Sequence, residues 1–284
     1  MSLKNLFSSI IVILLLPLIA LAGKLSHEEF NIGAEKAKSI EAKIDFGAGE
    51  IIVNADDIDD VVKGEIGYEP KTVEFRHDYE VEDGVGELYL ESDHKDNFDI
   101  DTEENKWDIT FSTKYPMSLN MDIGACEAEM DLGGLQLQNL TFEVGASSSI
   151  IEFSRPNPVR MDKIKIDAGA SSLEMKNFGN ANFKYFSFDG GVGSFKLDLR
   201  GKYTDNSRVT ISVGVGSMDL TLPKDIPIRV ETNGAGWLSS IDFHRTDLEA
   251  TDDDVYESDD YEDADIRLLV EIDVGLGSVD IYQK

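Results

Sequence analysis

The chain has 284 residues, with 56 Asp and Glu against 26 Lys and Arg, and a formal net charge of −30. A balance that acidic excludes nucleic acid and anionic membrane surfaces as partners, because both would repel it. It suits a highly solvated surface, a saline medium or cation binding, and the length is ample for a large core.

Residues 1–22 read as a secretion signal. Lys4 supplies the positive start, Leu6 to Leu21 is apolar, and Ala20-Leu21-Ala22 is a small-x-small cleavage site before Gly23. An uncleaved anchor is the rival, but the run is shorter than the ~20 apolar residues a span prefers and Pro17 lies near its end. No Cys follows the cleavage point, and no later segment is apolar enough to cross a membrane. The mature chain, at −31 once Lys4 is lost, is expected to be exported, to the periplasm or the cell surface, with no transmembrane segment.

Residues 23–118 read as an N-terminal β subdomain. Val61 to Tyr68 and Val73 to Tyr79 are expected strands, and Trp107, Ile109 and Phe111 alternate as another. Asp93 to Lys106 is a polar, acidic loop, and Ala34 to Ser39 is the one short stretch with helical character. Lys114-Tyr115-Pro116 marks the join to residues 119–284, read as a regular coil carrying an acidic loop at 247–265. Within that loop, Thr251 to Asp265 holds nine acids in fifteen residues, which predicts a solvated, mobile segment.

A nine-fold signature organises the chain: apolar-x-apolar-Gly-small-small, first seen as Ile44-Asp45-Phe46-Gly47-Ala48-Gly49. The other copies centre on Gly84, Gly124, Gly145, Gly169, Gly191, Gly214, Gly234 and Gly275, and from Gly124 to Gly234 the steps are 21, 24, 22, 23 and 20 residues. A period in the low twenties predicts an all-β fold, a single-stranded solenoid of about 20–24 residues per coil. With the first apolar position called n, apolar residues fall at n, n+2, n+4, n+7 and n+9, as in Ile211, Val213, Val215, Met218 and Leu220. Period two means a strand with one buried face. The jump from n+4 to n+7 demands a bulged corner that restores that face. Glycine at n+3, and a small residue at n+5, fit such a corner. Dinucleotide binding is the competing reading of these glycines; it fails because no third glycine follows and a β pattern stands where a helix should start.

Lys43 to Ile51, Leu119 to Ala125 and Ile272 to Ser278 resemble the toast-rack proteins of bacterial envelopes. These are related to the C-terminal domain of LiaF-type cell-wall stress regulators and to adhesin-like domains of unknown function. The resemblance covers nearly all of the mature chain. It implies a right-handed β-helix-like coil and no catalytic residues.

No residue pattern points to catalysis. His27, His77, His94 and His244 lack metal-ligand spacing, and Gly145-Ala146-Ser147-Ser148-Ser149 lacks the final glycine of a nucleophile elbow. The lone Cys126 occupies a small n+5 slot and reads as a buried space-filler, without a disulfide partner. Phe183, Tyr185, Phe186 and Phe188 could stack on sugars, but Phe186 and Phe188 hold the inward phase and favour the core. Position n+1 points outward and is acidic in Asp45, Glu82, Asp122, Glu143, Asp167, Asp189 and Asp273. Stacked in register these carboxylates form a ladder at about 5 Å spacing, offset by nearby Lys, by solvation or by bridging calcium. No other cofactor is expected. Trp237 breaks its copy at n+6 and is the first residue to test as a partner contact.

The expectation for function is a non-enzymatic exported solenoid serving as an interaction, scaffold or adhesin-like module, its partner an envelope protein or polysaccharide. The rivals are a LiaF-like stress regulator acting through a membrane partner and a polysaccharide-active β-helix enzyme. The enzyme reading needs basic residues beside acidic ligands on one face, and Lys and Arg are sparse and scattered here. Composition says nothing about oligomeric state.

Overall fold

A computed structural model describes residues 25–94, 105–233 and 239–284. The signal at 1–22, the copy at Gly234 and the candidate contact Trp237 lie outside these described residues. Among the described residues the chain forms one mixed sheet of sixteen strands.

The N-terminal part holds β1 (Ser26–Ile32), β2 (Ser39–Asp56), β3 (Val62–Tyr68), β4 (Val73–Glu82), β5 (Val85–His94) and β6 (Asn105–Ser112). The strands expected from Val61, Val73 and Trp107 are β3, β4 and β6; the stretch around Ala34 is turn rather than helix. Six further long strands follow: β7 (Pro116–Asp131), β8 (Gln136–Glu152), β9 (Met161–Lys176), β10 (Phe183–Asp198), β11 (Ser207–Leu222) and β16 (Leu268–Gln283). Between β11 and β16 lie β12 (Ile228–Asn233), β13 (Ser239–His244), β14 (Glu249–Asp252) and β15 (Val255–Glu257).

The strands β2, β7, β8, β9, β10, β11 and β16 lie parallel and in register, each bent at its signature glycine into two arms. The N-terminal strands attach through β2. On its first arm β2 pairs with β5, which carries β4; on its second arm it pairs with β6, which carries β3 and β1. Because β2 also pairs with β7 from Ile40↔Met117 to Val53↔Met130, it is itself the first coil. One apolar core runs from Phe30 to Ile281, and the return segments close it with Leu132, Phe153, Phe178 and Leu199. Buried Asn157 ties these returns together, donating to the carbonyls of Leu137 and Ala181 at 2.8 and 3.2 Å and accepting from the Leu137 amide at 3.1 Å.

Three expectations need correction. The phase slip falls at n+3 and n+4, not beyond n+4. In β9, Ile164, Ile166 and Ala168 face inward, Gly169 and Ala170 both face out, and Ser171, Leu173 and Met175 face inward again. The inside of a sharp bend has the least room, so the small n+5 residue points into it and, in β7 to β11 and β16, the apolar n+4 residue is turned toward solvent, whereas Ala48 of β2 stays buried. The signature at Gly84 is not a corner either. Asp83 and Gly84, at φ 52° and 86°, form the two-residue turn of the β4–β5 hairpin, where Glu82 pairs with Val85. Positive φ at both central residues is what a type I′ turn demands, and Asp-Gly supplies it. Glu82 therefore stands apart from the ladder. Lastly, Thr251 to Asp265 is not a free loop: β14 and β15 form a hairpin whose β15 pairs antiparallel with β12.

At the true corners the glycines answer a close approach between coils. A Cβ built on Gly124 would lie 2.3 Å from the Gly47 carbonyl oxygen, and one on Gly169 would lie 2.4 Å from that of Gly145. The same clash recurs down to Gly275 against Gly214. That last contact shows β16 stacking directly on β11, with β12 and β13 outside it. The coil order in space thus departs from the order in sequence at this end.

Candidate functional site

The corner gives the outer surface three parallel lines. On the first arm the n+1 carboxylates stack as Asp45↔Asp122↔Glu143↔Asp167↔Asp189 on five adjacent strands. Ser212 interrupts the line, and Asp273 follows it on β16. The glycines form a floor without side chains. Beyond them the n+4 residues stand out as Ala125, Ala146, Ala170, Val192, Val215 and Leu276, aligned strand to strand. The three largest are 55%, 44% and 47% exposed. Next to them at n+6 runs a hydroxyl line, Ser148, Ser172, Ser194, Ser217 and Ser278, and Ser240 of β13 lies beside Ser278 in register.

The carboxylate line is offset in part from within. Lys165 Nζ bridges two rungs, 2.7 Å from Glu143 and 2.5 Å from Asp167, and hydrogen bonds to these carboxylates, Asp167 first, push its pKa upward. At the other end, burial and then the neighbouring Asp122 raise the pKa of Asp45. Among the described residues no group of three or more His, Cys, Asp or Glu side chains is gathered as a metal site.

Most of the remaining described candidates pack into the core. Cys126 is buried, and burial pushes its thiol up to about 11, far from a thiolate at neutral pH. Trp107 packs edge-on against Phe46 and Phe75, and its Nε1 donates to Asn105 Oδ1 at 2.9 Å. Phe183, Phe186 and Phe188 are core, whereas Tyr185 is exposed with Lys184 over its ring. His77 stacks on Phe30, and His244 Nε2 lies 2.6 Å from Asp280. No nucleophile, base and orienting group come together among them. The outward aliphatic line was missed because apolarity alone does not tell a strand's two faces apart at a bulge. A signal was present in the consistently small n+5 residue, which marks the inside of the bend.

A family model described as the N-terminal domain of toast_rack, DUF2154, matches residues 21–176 and 157–221. The chain belongs to this toast-rack family. Among solved structures it is similar to one described as "a putative cell adhesion protein" from Clostridium sporogenes. That match has a TM-score of 0.51 and 19% identity, covering 92% of this chain and 100% of the other. A "putative adhesin" from Bacteroides fragilis matches with a TM-score of 0.39 and 13% identity over 92% and 98% of the two chains. At 19% identity the Clostridium likeness speaks for the fold alone. Comparison with curated proteins gives no match. Among the described residues no helix is long and apolar enough to cross a membrane.

Proposed function

We propose that this chain is a non-enzymatic, exported adhesin-like module that holds a component of the bacterial envelope, protein or polysaccharide, along its corner. One observation carries the reading: Val192, Val215 and Leu276 stand exposed and aligned on three adjacent strands, between a carboxylate line and a serine line. Aligned aliphatic side chains left in water mark a contact surface rather than random exposure. A repetitive flat face of this kind suits an extended partner, as solenoids generally do. The description of the Clostridium structure as a cell adhesion protein supports the same class.

Retention of the purified protein on immobilised envelope extract tests it. The Val192→Asp/Val215→Asp double variant keeps the fold, because both side chains already face water, and loses about tenfold or more in retention if the ridge is a contact centre. Undiminished retention with an unchanged circular dichroism melt would overturn the proposal.

A further inference from the structure

The outward side of the first arms is hollowed at its N-terminal end. Strands β4, β5, β2, β7 and β8 lie side by side there, spanning ~19 Å at a spacing of ~4.8 Å. A cavity of about 480 Å³ crosses all of them, from Asp78 and Glu80 on β4 to Asn139 and Thr141 on β8. Twist turns the solvent face of the sheet into a trough. Its outward residues on β2, β7 and β8 stand at n−3 and n−1, away from the ridge at n+4.

The trough has two halves. In the first, Glu80, Glu87 and Glu41 are neighbours in register, and Lys43, in register with Tyr89, is the one cation of the lining. Lys43 Nζ lies 5.4 Å from the centre of the Tyr89 ring. Burial, and then a hydrogen bond to Glu91, pushes Tyr89 up to about 12, so the ring is neutral and held. In the second half Ser118 pairs with Asn139 and Asn120 with Thr141, and none of the four carries charge. Asn is depleted from strands, and no packing demand explains two of them in mid-strand on a water face. Asn139 donates to Ser118 Oγ at 3.3 Å, while the side chains of Asn120 and Thr141 have no hydrogen-bond partner among the described residues.

This lining sorts ligands by class. Ala42, Leu88 and Leu119 turn their side chains into the core, so an apolar ligand meets only the ring of Tyr89. A polyanion meets four carboxylates against one Lys, and a polycation meets no charge along the second half. A peptide strand finds no free edge inside the trough, because β5, β2, β7 and β8 are paired on both sides. Amides, hydroxyls and carboxylates beside one aromatic ring remain, and closely spaced neutral hydroxyls satisfy such a set. We infer that the trough binds a neutral oligosaccharide, with Asn120, Asn139 and Thr141 bonded to its hydroxyls, Glu41 and Glu87 accepting from others, and Tyr89 against a sugar ring. The trough and the corner ridge are separate sites, so either proposal can fail without the other.

The test is isothermal titration calorimetry of the whole protein at physiological salt and millimolar sugar. The probes are a cello-oligosaccharide, an N-acetylglucosamine oligomer, its deacetylated amine form and an oligogalacturonate. At least one of the first two binds, the acidic probe does not, and the amine form binds no tighter than its N-acetylated parent. Asn120→Ala/Asn139→Ala weakens binding by about tenfold and melts as the parent does, since both side chains are exposed. Val192→Asp/Val215→Asp leaves sugar binding unchanged. Absence of heat from both neutral probes, equal binding of the oligogalacturonate, tighter binding of the amine form, or undiminished binding by the Asn double variant overturns the inference. So does loss of sugar binding in the ridge variant.

Discussion

A methyl group on Gly169 would sit 2.4 Å from the Gly145 carbonyl oxygen, and that oxygen belongs to backbone fixed by the parallel ladder on both sides. Neither partner can yield without separating two coils. Gly169→Ala is therefore expected to cost about 1–3 kcal/mol, the usual penalty of overpacking. The adjacent Ala170→Ser, one residue further and facing water, is expected to stay within about 0.5 kcal/mol. Urea denaturation of the two variants checks the contrast; equal costs would mean that the corner tolerates side chains. Two carboxylates test the outer surface at the same scale, with opposite signs. The pKa of Asp45 is raised in the fold, by burial and then by Asp122, so its ionised form opposes folding and the folded state binds the proton more readily. Asp45→Asn should raise the melting temperature at neutral pH, with the gain vanishing once both states are protonated below the ordinary 3.8. Glu271 is the converse: hydrogen bonding from Arg208 Nε at 2.7 Å lowers its pKa despite burial. Its stabilisation is present above the ordinary glutamate pKa and lost as pH falls through the lowered one, so Glu271→Gln should destabilise at neutral pH and match the parent in acid. Melting curves of both variants across that range check the signs; a shift of Asp45→Asn in the other direction would reject the account given for that residue.

At the scale of elements, what could be read from the chain depended on how local the cause was. Alternation in Ile211, Val213, Met218 and Leu220 names a strand with one buried face wherever it lies, and those four residues are buried in β11. The bend in the middle of the strand was also legible, since a phase change with glycine beside it has few other solutions. The side on which Val215 emerges was not, because it depends on the space inside the corner. Gly84 misled for a related reason: an Asp-Gly hairpin turn between two alternating strands imitates the corner signature, and only the antiparallel pairing of β4 with β5 separates the two. Least legible was the placement of β16. Its first arm reads much like that of β12, with Leu268 beside Ile228 and Val270 beside Val230 in register. Which of them stacks on β11 is a long-range choice that no local pattern encodes. The acidic hairpin shows the same limit. Its charges predict solvation, yet Tyr261 is buried with Arg229 and Arg267 over its ring, and Arg229 Nε also lies 2.9 Å from Glu257 Oε2. Two cations from the coil thereby hold a segment that its composition alone would leave loose.

For the molecule as a whole, the balance is between stacking and charge. Each added coil extends the core and the parallel ladder, and each adds acids to an outer surface already at −30 overall. Neighbouring rungs lie ~4.8 Å apart, where like charges in a water-like medium cost at most about 1 kcal/mol per pair. At physiological ionic strength the screening length of about 8 Å spans fewer than two such steps, so the repulsion is short-ranged along the line. Lys165 already compensates one pair of rungs, and no three carboxylates gather to coordinate an ion among the described residues. The expected outcome is therefore a melting temperature that climbs with sodium chloride and then levels off. Calcium chloride at matched ionic strength should raise it no further. A calcium-specific rise beyond the sodium curve, removed by Asp167→Asn, would instead make the carboxylate line a divalent-cation site that draws the coils together.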